Sequence, residues 1–335
     1  SRRAVAARLN APVGLLLIMG ATHAVSHAFG GLMPMIFPMV VIEFNLSYTD
    51  IGFMVGFTTF AGGMLQLVYG VLSRRLLRKV ILAAGQLIIG LSCVVTGLAN
   101  GYGVMFLGNL GARIGSSPQH PVGNSLLVDR FPISERGSAL SLHVVGGNVG
   151  TVLVPVVGGM LLAVAGWRVT LFLLAVPAFL LMLAVLAFVQ EKKGEVEQQR
   201  QGSPPTRQLV RQVLSSRTIL LIMLASVIGA AGRGLSALNT YLPLYLSRDI
   251  GLPTATVNVL YACLLTGGVI GPYLLGRLSD QAGRWVVLYL IYAGATIGIL
   301  LFVGSGAAAP VLLGLVLLIH GGFSHSDSVV LTTYL

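Results

Sequence analysis

Gly70–Lys79 reads GVLSRRLLRK, and 206 positions further on Gly276–Trp285 reads GRLSDQAGRW. Each is a short basic loop between the second and third apolar runs of its half, and such a recurrence marks an internally duplicated membrane protein. Crossing roughly 30 Å of hydrocarbon takes about 20 apolar residues. That length predicts spans near 12–40, 49–73, 79–100, 102–127, 137–165, 168–189, 217–246, 254–276, 285–304 and 308–335. The one long polar stretch, 190–216, separates six spans from four. The expected organisation is a six-helix bundle over 1–189, a cytoplasmic linker over 190–216 and a second bundle over 217–335. Four spans leave that second bundle two short, and an apolar run is still open at Leu335. Two further spans and a trimmed start are therefore expected.

Composition agrees with a bilayer protein. Hydrophobic residues make up 55% of the 335 and charged residues 9%, with a mean hydropathy of +0.88, whereas about a quarter of a soluble domain is charged. The first span is too long for a signal-peptide core and lacks a small-residue cleavage site, so it is expected to stay. Cys93 and Cys263 both fall inside spans and are expected to pack as small hydrophobes. The net charge of +11 is explained by its placement. All of the 21 Lys and Arg except Arg113, Arg168, Arg233 and Arg248 lie before the first span or in even-to-odd connections. By the positive-inside rule those segments and the N-terminus are cytoplasmic, so the excess charge records topology and gives no reason to expect a nucleic-acid partner. The expected location is the plasma (inner) membrane, with the bilayer itself as partner and the chain as a monomer.

GRLSDQAGRW resembles the cytoplasmic loop signature of the major facilitator superfamily, which Gly276, Asp280, Gly283 and Arg284 match. A glycine there allows a tight turn, and a carboxylate placed near a helix N-terminus or a basic partner can latch the cytoplasmic face. In the first copy, with Gly70, Arg74 and Arg75, Arg74 stands where Asp is expected and Leu77 where Gly is, so that copy lacks the carboxylate. Gly150, Pro155, Gly158 and Gly159 in span 5 are similar to the antiporter motif of facilitator-type exporters, with Val154 in place of a glycine, and Gly166-Trp167-Arg168 follows. Pro155 removes a backbone donor and bends the helix, and the glycines permit close packing. Within the superfamily the chain resembles fosmidomycin-resistance-type exporters. That likeness rests on Phe44-Asn45-Leu46-Ser47-Tyr48, on His120-Pro121 after Gly115-Ser116-Ser117, and on Gly146-Gly147-Asn148; it departs at Val122 and Gly123, where those exporters usually carry an acidic residue. The resemblance implies an all-α fold of two pseudo-symmetric six-helix bundles.

All six histidines, together with Arg113, Arg233 and Asp327, fall within predicted spans. Ionisable groups at that depth are costly and usually face a cavity or one another. At 100° per residue, His23 and His27 share a face of span 1, and His320, Ser324 and Asp327 share a face of span 10. Arg113 and His120 are seven apart in span 4, across the irregularity expected from Pro118 and Pro121. The repeat adds an independent match: an offset of 206 sets His27 on Arg233, and 207 sets Arg113 on His320, Ser117 on Ser324 and His120 on Asp327. In the superfamily the corresponding spans line a central cavity. The resemblance therefore implies a substrate chamber built from these residues. Asn148, Ser236, Asn239 and Tyr241, as polar residues within spans, are further candidate contacts.

Guanidinium groups bind phosphonate or carboxylate in bidentate fashion, so Arg113 and Arg233 favour an anionic substrate. His23, His27, His120 and His320 are candidates for the coupled proton, with Asp327 as the alternative. A structural role for Arg113 would require an ion pair, with Asp129 or Asp327 as partner, and His143 is assigned to interhelical hydrogen bonding. The leading expectation is a proton-coupled antiporter exporting a small anionic or amphiphilic compound by alternating access. A divalent metal transporter using His23, His27, His120, His325 and Asp327 is the alternative, against which no span shows a compact ligand cluster. A sensor or scaffold that kept the fold is a third class. No phosphate-binding Gly-x-x-x-x-Gly-Lys-Ser/Thr loop and no nucleophile beside a base is present, so neither an enzyme nor a cofactor is expected.

Overall fold

The computed structural model describes residues 12–191, 206–229, 237–305, 309–327 and 330, and every regular element among them is helical. In chain order these are α1 (Pro12–Glu43), α2 (Tyr48–Leu72), α3 (Arg78–Gly97), α4 (Tyr102–Ser116), α5 (Asn124–Arg130), α6 (Arg136–Leu153), α7 (Gly159–Phe188), α8 (Thr206–Ser215), α9 (Arg217–Gly229), α10 (Ala237–Arg248), α11 (Thr254–Ala282), α12 (Arg284–Ser305) and α13 (Pro310–Ser324). Each of the ten expected spans contains helix among the described residues. Among those residues, spans 4 and 5 are interrupted where the sequence puts proline or glycine. Span 4 passes from α4 to α5 through a π-helical turn at Gln119–Gly123, between Pro118 and Asn124, and span 5 passes from α6 to α7 through another at Val154–Gly158. The described parts of span 7 are α9 and α10, and α8 lies within the stretch read as linker. The chain divides into two compact units, Ser1–Val154 with Met160–Pro204 and Pro155–Gly159 with Pro205–Leu335.

In the first unit the path can be followed from small residues. Gly146 meets the backbone of Gly20, Gly150 meets the Ala24 carbonyl and Gly31 meets Val154, so α6 runs parallel to α1 with backbones nearly touching. Lipid offers no hydrophobic drive for helix association, and close van der Waals approach at small residues supplies it instead. Gly166 then adopts φ 75°, a conformation that favours glycine. Beyond it Phe172 fills the space over Gly97 and Phe179 that over Gly90, so the second part of α7 runs antiparallel to α3. The turn from α1 into α2 is equally local: Asn45 takes φ 52°, and Ser47 and Asp50 form a reciprocal capping box.

Leu82, Val122, Leu126, Leu127 and Met19 form a fully buried core under α1, α3 and α5. Large apolar side chains such as Leu17, Phe60, Leu67 and Val164 point outward, as lipid-facing positions require. In the second unit α11 and α13 approach as closely as α1 and α6: Gly267 meets the Leu318 carbonyl, Gly271 meets Gly322 and Gly321 meets the Leu264 carbonyl.

Candidate functional site

Four histidines of the first unit converge. His23 and His27 lie one turn apart on α1, with ring centroids 4.5 Å apart. The π-helical turn carries His120 to 5.0 Å from the His23 ring, and His143 of α6 stacks on His23 at 4.4 Å. Among the described residues no single span holds a compact ligand cluster, as the sequence leads one to expect, but two spans together do: one ring nitrogen each of His23, His27 and His120 lie within 4.8 Å of one another. Room for His23 comes from Gly147, where a Cβ would stand 2.9 Å from the imidazole.

The tautomers follow from the partners. His23 Nδ1 lies 3.0 Å from the His143 carbonyl, which only accepts, so Nδ1 carries the proton. His23 Nε2 is then a bare lone pair, buried without a hydrogen-bond partner among the described residues. His27 Nδ1 lies 3.0 Å from Thr151 Oγ1, whose own proton goes to the Gly147 carbonyl at 3.2 Å. His27 therefore donates through Nδ1 and also presents Nε2 unprotonated. Neither Thr151 nor the His143 carbonyl was read from sequence as part of the site. Around the cluster, Gln86 Nε2 donates to the Thr22 carbonyl at 3.2 Å, and Thr22 Oγ1 lies 3.4 Å from Gln119 Oε1.

Arg113 is half-buried on α4. No carboxylate pairs with it among the described residues. Asp129, one of the two partners expected if Arg113 were structural, pairs instead with Arg78 at 2.5 Å. Ser117 is buried, and its hydroxyl is committed to the Gly62 and Arg113 carbonyls at 2.9 and 2.6 Å. Asn148 is half-buried on α6. Arg233 and Ser236 lie outside the described residues.

In the second unit His320 is buried on α13, with Nδ1 3.0 Å from the Ala295 carbonyl. Helix α13 ends at Ser324, with His325 as its cap. The spacing from His320 to Asp327 is therefore not carried by continuous helix, a difference from the face drawn on the sequence. Asp327 is buried, with Tyr292 Oη 3.5 Å from its Oδ2. Ser324 Oγ contacts His325 Nδ1 at 3.2 Å. Asn239 is buried and Tyr241 half-buried on α10.

The two copies of the loop share one local device: Ser73 donates to the Gly70 carbonyl at 2.8 Å, and Ser279 to the Gly276 carbonyl at 2.7 Å. They differ where the sequence differs. Gly283 takes φ 90°, while Leu77 sits at φ −60°, so a side chain fits there without strain. Arg74 and Arg75 occupy the turn after α2, Asp280 is exposed near the end of α11, and Arg284 opens α12. Carboxylates missing from the first copy arrive from elsewhere. Arg78, 3% exposed, donates to Asp129 at 2.5 Å and to Glu191 at 2.6 Å, and the Lys79 amide donates to the second Glu191 oxygen at 3.1 Å. At the opposite end of the bundle, Glu43 accepts from Trp167 at 3.0 Å and from Arg168 at 3.2 and 2.5 Å.

A multi-pass helical protein with paired, glycine-packed bundles and ionisable groups buried in its spans has the build of a secondary transporter. The Major Facilitator Superfamily profile matches residues 18–334, and the chain belongs to that family. It is 25% identical over 279 residues to the fosmidomycin resistance protein of Escherichia coli (strain K12), covering 82% of this chain and 67% of that one. It is 26% identical over 290 residues to a membrane sensor protein of the same organism, covering 80% and 64%. Among solved structures, a bacterial homologue of the human lysosomal transporter Spinster superposes with a TM-score of 0.77 at 18% identity, over 96% of this chain and 74% of that one. The chain is thus a multi-pass membrane transporter of the secondary type, and not an enzyme.

Proposed function

We propose that the protein exports a small anionic or amphiphilic compound by alternating access in exchange for protons, from the plasma membrane and with its N-terminus in the cytoplasm. The observation that carries this reading is Arg113: a half-buried guanidinium in a span, with no carboxylate partner among the described residues. An unpaired charge at that depth is costly, and a phosphonate or carboxylate would satisfy it in bidentate fashion. The likeness to a protein named for resistance to fosmidomycin, itself a phosphonate, points to the same chemistry and not to a metal cargo. The clustered imidazoles of the first unit, and Asp327 in the other unit, are the groups assigned to proton exchange. Orientation follows from the basic loops.

The test is fosmidomycin uptake into inside-out vesicles, with and without an imposed pH gradient and with a chelator present throughout. Gradient-driven uptake is expected in the wild type. A charge-assisted hydrogen bond contributes about 1.5–3 kcal/mol, so Arg113→Ala is expected to reduce uptake at least about tenfold. Asp327→Asn tests the proton arm. Uptake that ignores the pH gradient would refute coupling, and anion uptake unchanged in Arg113→Ala would refute the site. A chain that carries no anion at all would behave as the sensor-type relative's name suggests.

A further inference from the structure

We propose that His23, His27 and His120 form a binding site for a divalent d-block cation of the zinc type, held by three imidazole nitrogens within the first bundle. Three neutral imidazoles with a fourth position left open are a recurrent zinc ligand set, and the same donors suit cobalt, nickel and copper. In two of the three, one ring nitrogen is already tied down, which leaves the other as the free donor. His23 donates Nδ1–H to the His143 carbonyl and His27 donates Nδ1–H to Thr151, and both bonds are 3.0 Å. Such outer hydrogen bonds fix the tautomer and aim the remaining lone pair, as they do at metal-binding histidines generally. His23 Nε2 is buried with no other partner among the described residues, a position that would be costly without a ligand or water.

Distances and access fit. The three nitrogens lie within 4.8 Å of one another, while around zinc, with bonds of 2.0–2.1 Å, they would stand about 3.4 Å apart. Rotations of the rings by roughly an ångström close that difference. His23 is buried, His27 half-buried and His120 exposed, so the cluster has an anchored end and an open one. Gly147 and the stacked His143 ring hold His23 from behind.

Metal binding is independent of the export reading. One consequence rests on that reading: a bound cation occupies the lone pairs assigned to protons, so zinc would inhibit coupled transport. The primary test therefore reads binding without transport. The full chain, purified in detergent through a tag without histidine, is titrated with cobalt(II) and followed by visible absorption, then back-titrated with zinc. One equivalent of cobalt is expected to give the intense visible bands of a low-coordinate site, and zinc is expected to displace it.

His27→Ala and His120→Ala are each expected to weaken binding at least about tenfold, and Thr151→Val, which removes only the outer hydrogen bond, by about tenfold. His320→Ala, in the other unit, is expected to leave binding unchanged. X-ray absorption at the zinc edge of the wild type, which needs no variant to fold, is expected to show three imidazole nitrogens. No saturable cobalt binding in the wild type, or stoichiometric binding that survives in both His27→Ala and His120→Ala, would overturn the proposal. Failure of anion uptake with intact cobalt binding would refute the export reading alone.

Discussion

Replacing Arg78 by alanine separates the two carboxylates that share it, and they are not equivalent. The Asp129 side chain is 44% exposed and rehydrates once the guanidinium is gone, whereas that of Glu191 is 0% exposed. Removing one partner of a buried ion pair costs about 3–5 kcal/mol, because the remaining charge is left uncompensated. Glu191 keeps the Lys79 amide on its second oxygen, at the positive end of α3, which places the cost near the lower figure. For a chain of this length about 2 °C of melting temperature is lost per kcal/mol. Arg78→Ala is therefore expected to melt about 6 °C below the wild type in a detergent unfolding assay. Combining it with Glu191→Gln removes the stranded charge and should recover most of that loss. A single variant within about 1 °C of wild type, or a double variant less stable than the single one, would refute the assignment of the cost to Glu191.

Two further substitutions test the packing and the opposite clasp. Gly150→Leu places a side chain on the Ala24 backbone and must push α1 from α6; overpacking of this kind costs about 1–3 kcal/mol, so a melting temperature lower by several degrees is expected, and an unchanged melt would contradict the contact. Arg168→Ala breaks a pair whose side chains are 41% and 38% exposed, in the range where ion pairs contribute about 1 kcal/mol or less; its melt should fall by no more than about 2 °C, with the difference shrinking in high salt.

Much of the fold could be read from the chain because a bilayer imposes length and hydropathy on each crossing, and because the loop at Gly70 recurs at Gly276. The candidate site was legible only in part. His23 and His27 lie four apart on one uninterrupted helix, so their shared face follows from helical geometry. His120 reaches them through the π-helical turn between Pro118 and Asn124, where simple angular counting fails. Thr151 and the His143 carbonyl enter only through tertiary packing of α6 on α1, which no spacing within a span encodes. Arg78 was read as one more loop charge marking topology. Its partners lie 51 and 113 residues away, and burial, invisible in the sequence, turns that charge into a structural one.

The reversal at Gly166 fixes more than a change of direction. Span 5 runs into span 6 through this one residue, and Trp167 and Arg168, which follow it directly, hold Glu43 at the end of α1. The turn is thereby tied to the first helix, and a substitution at Gly166 that shifted it would carry both donors away from the carboxylate.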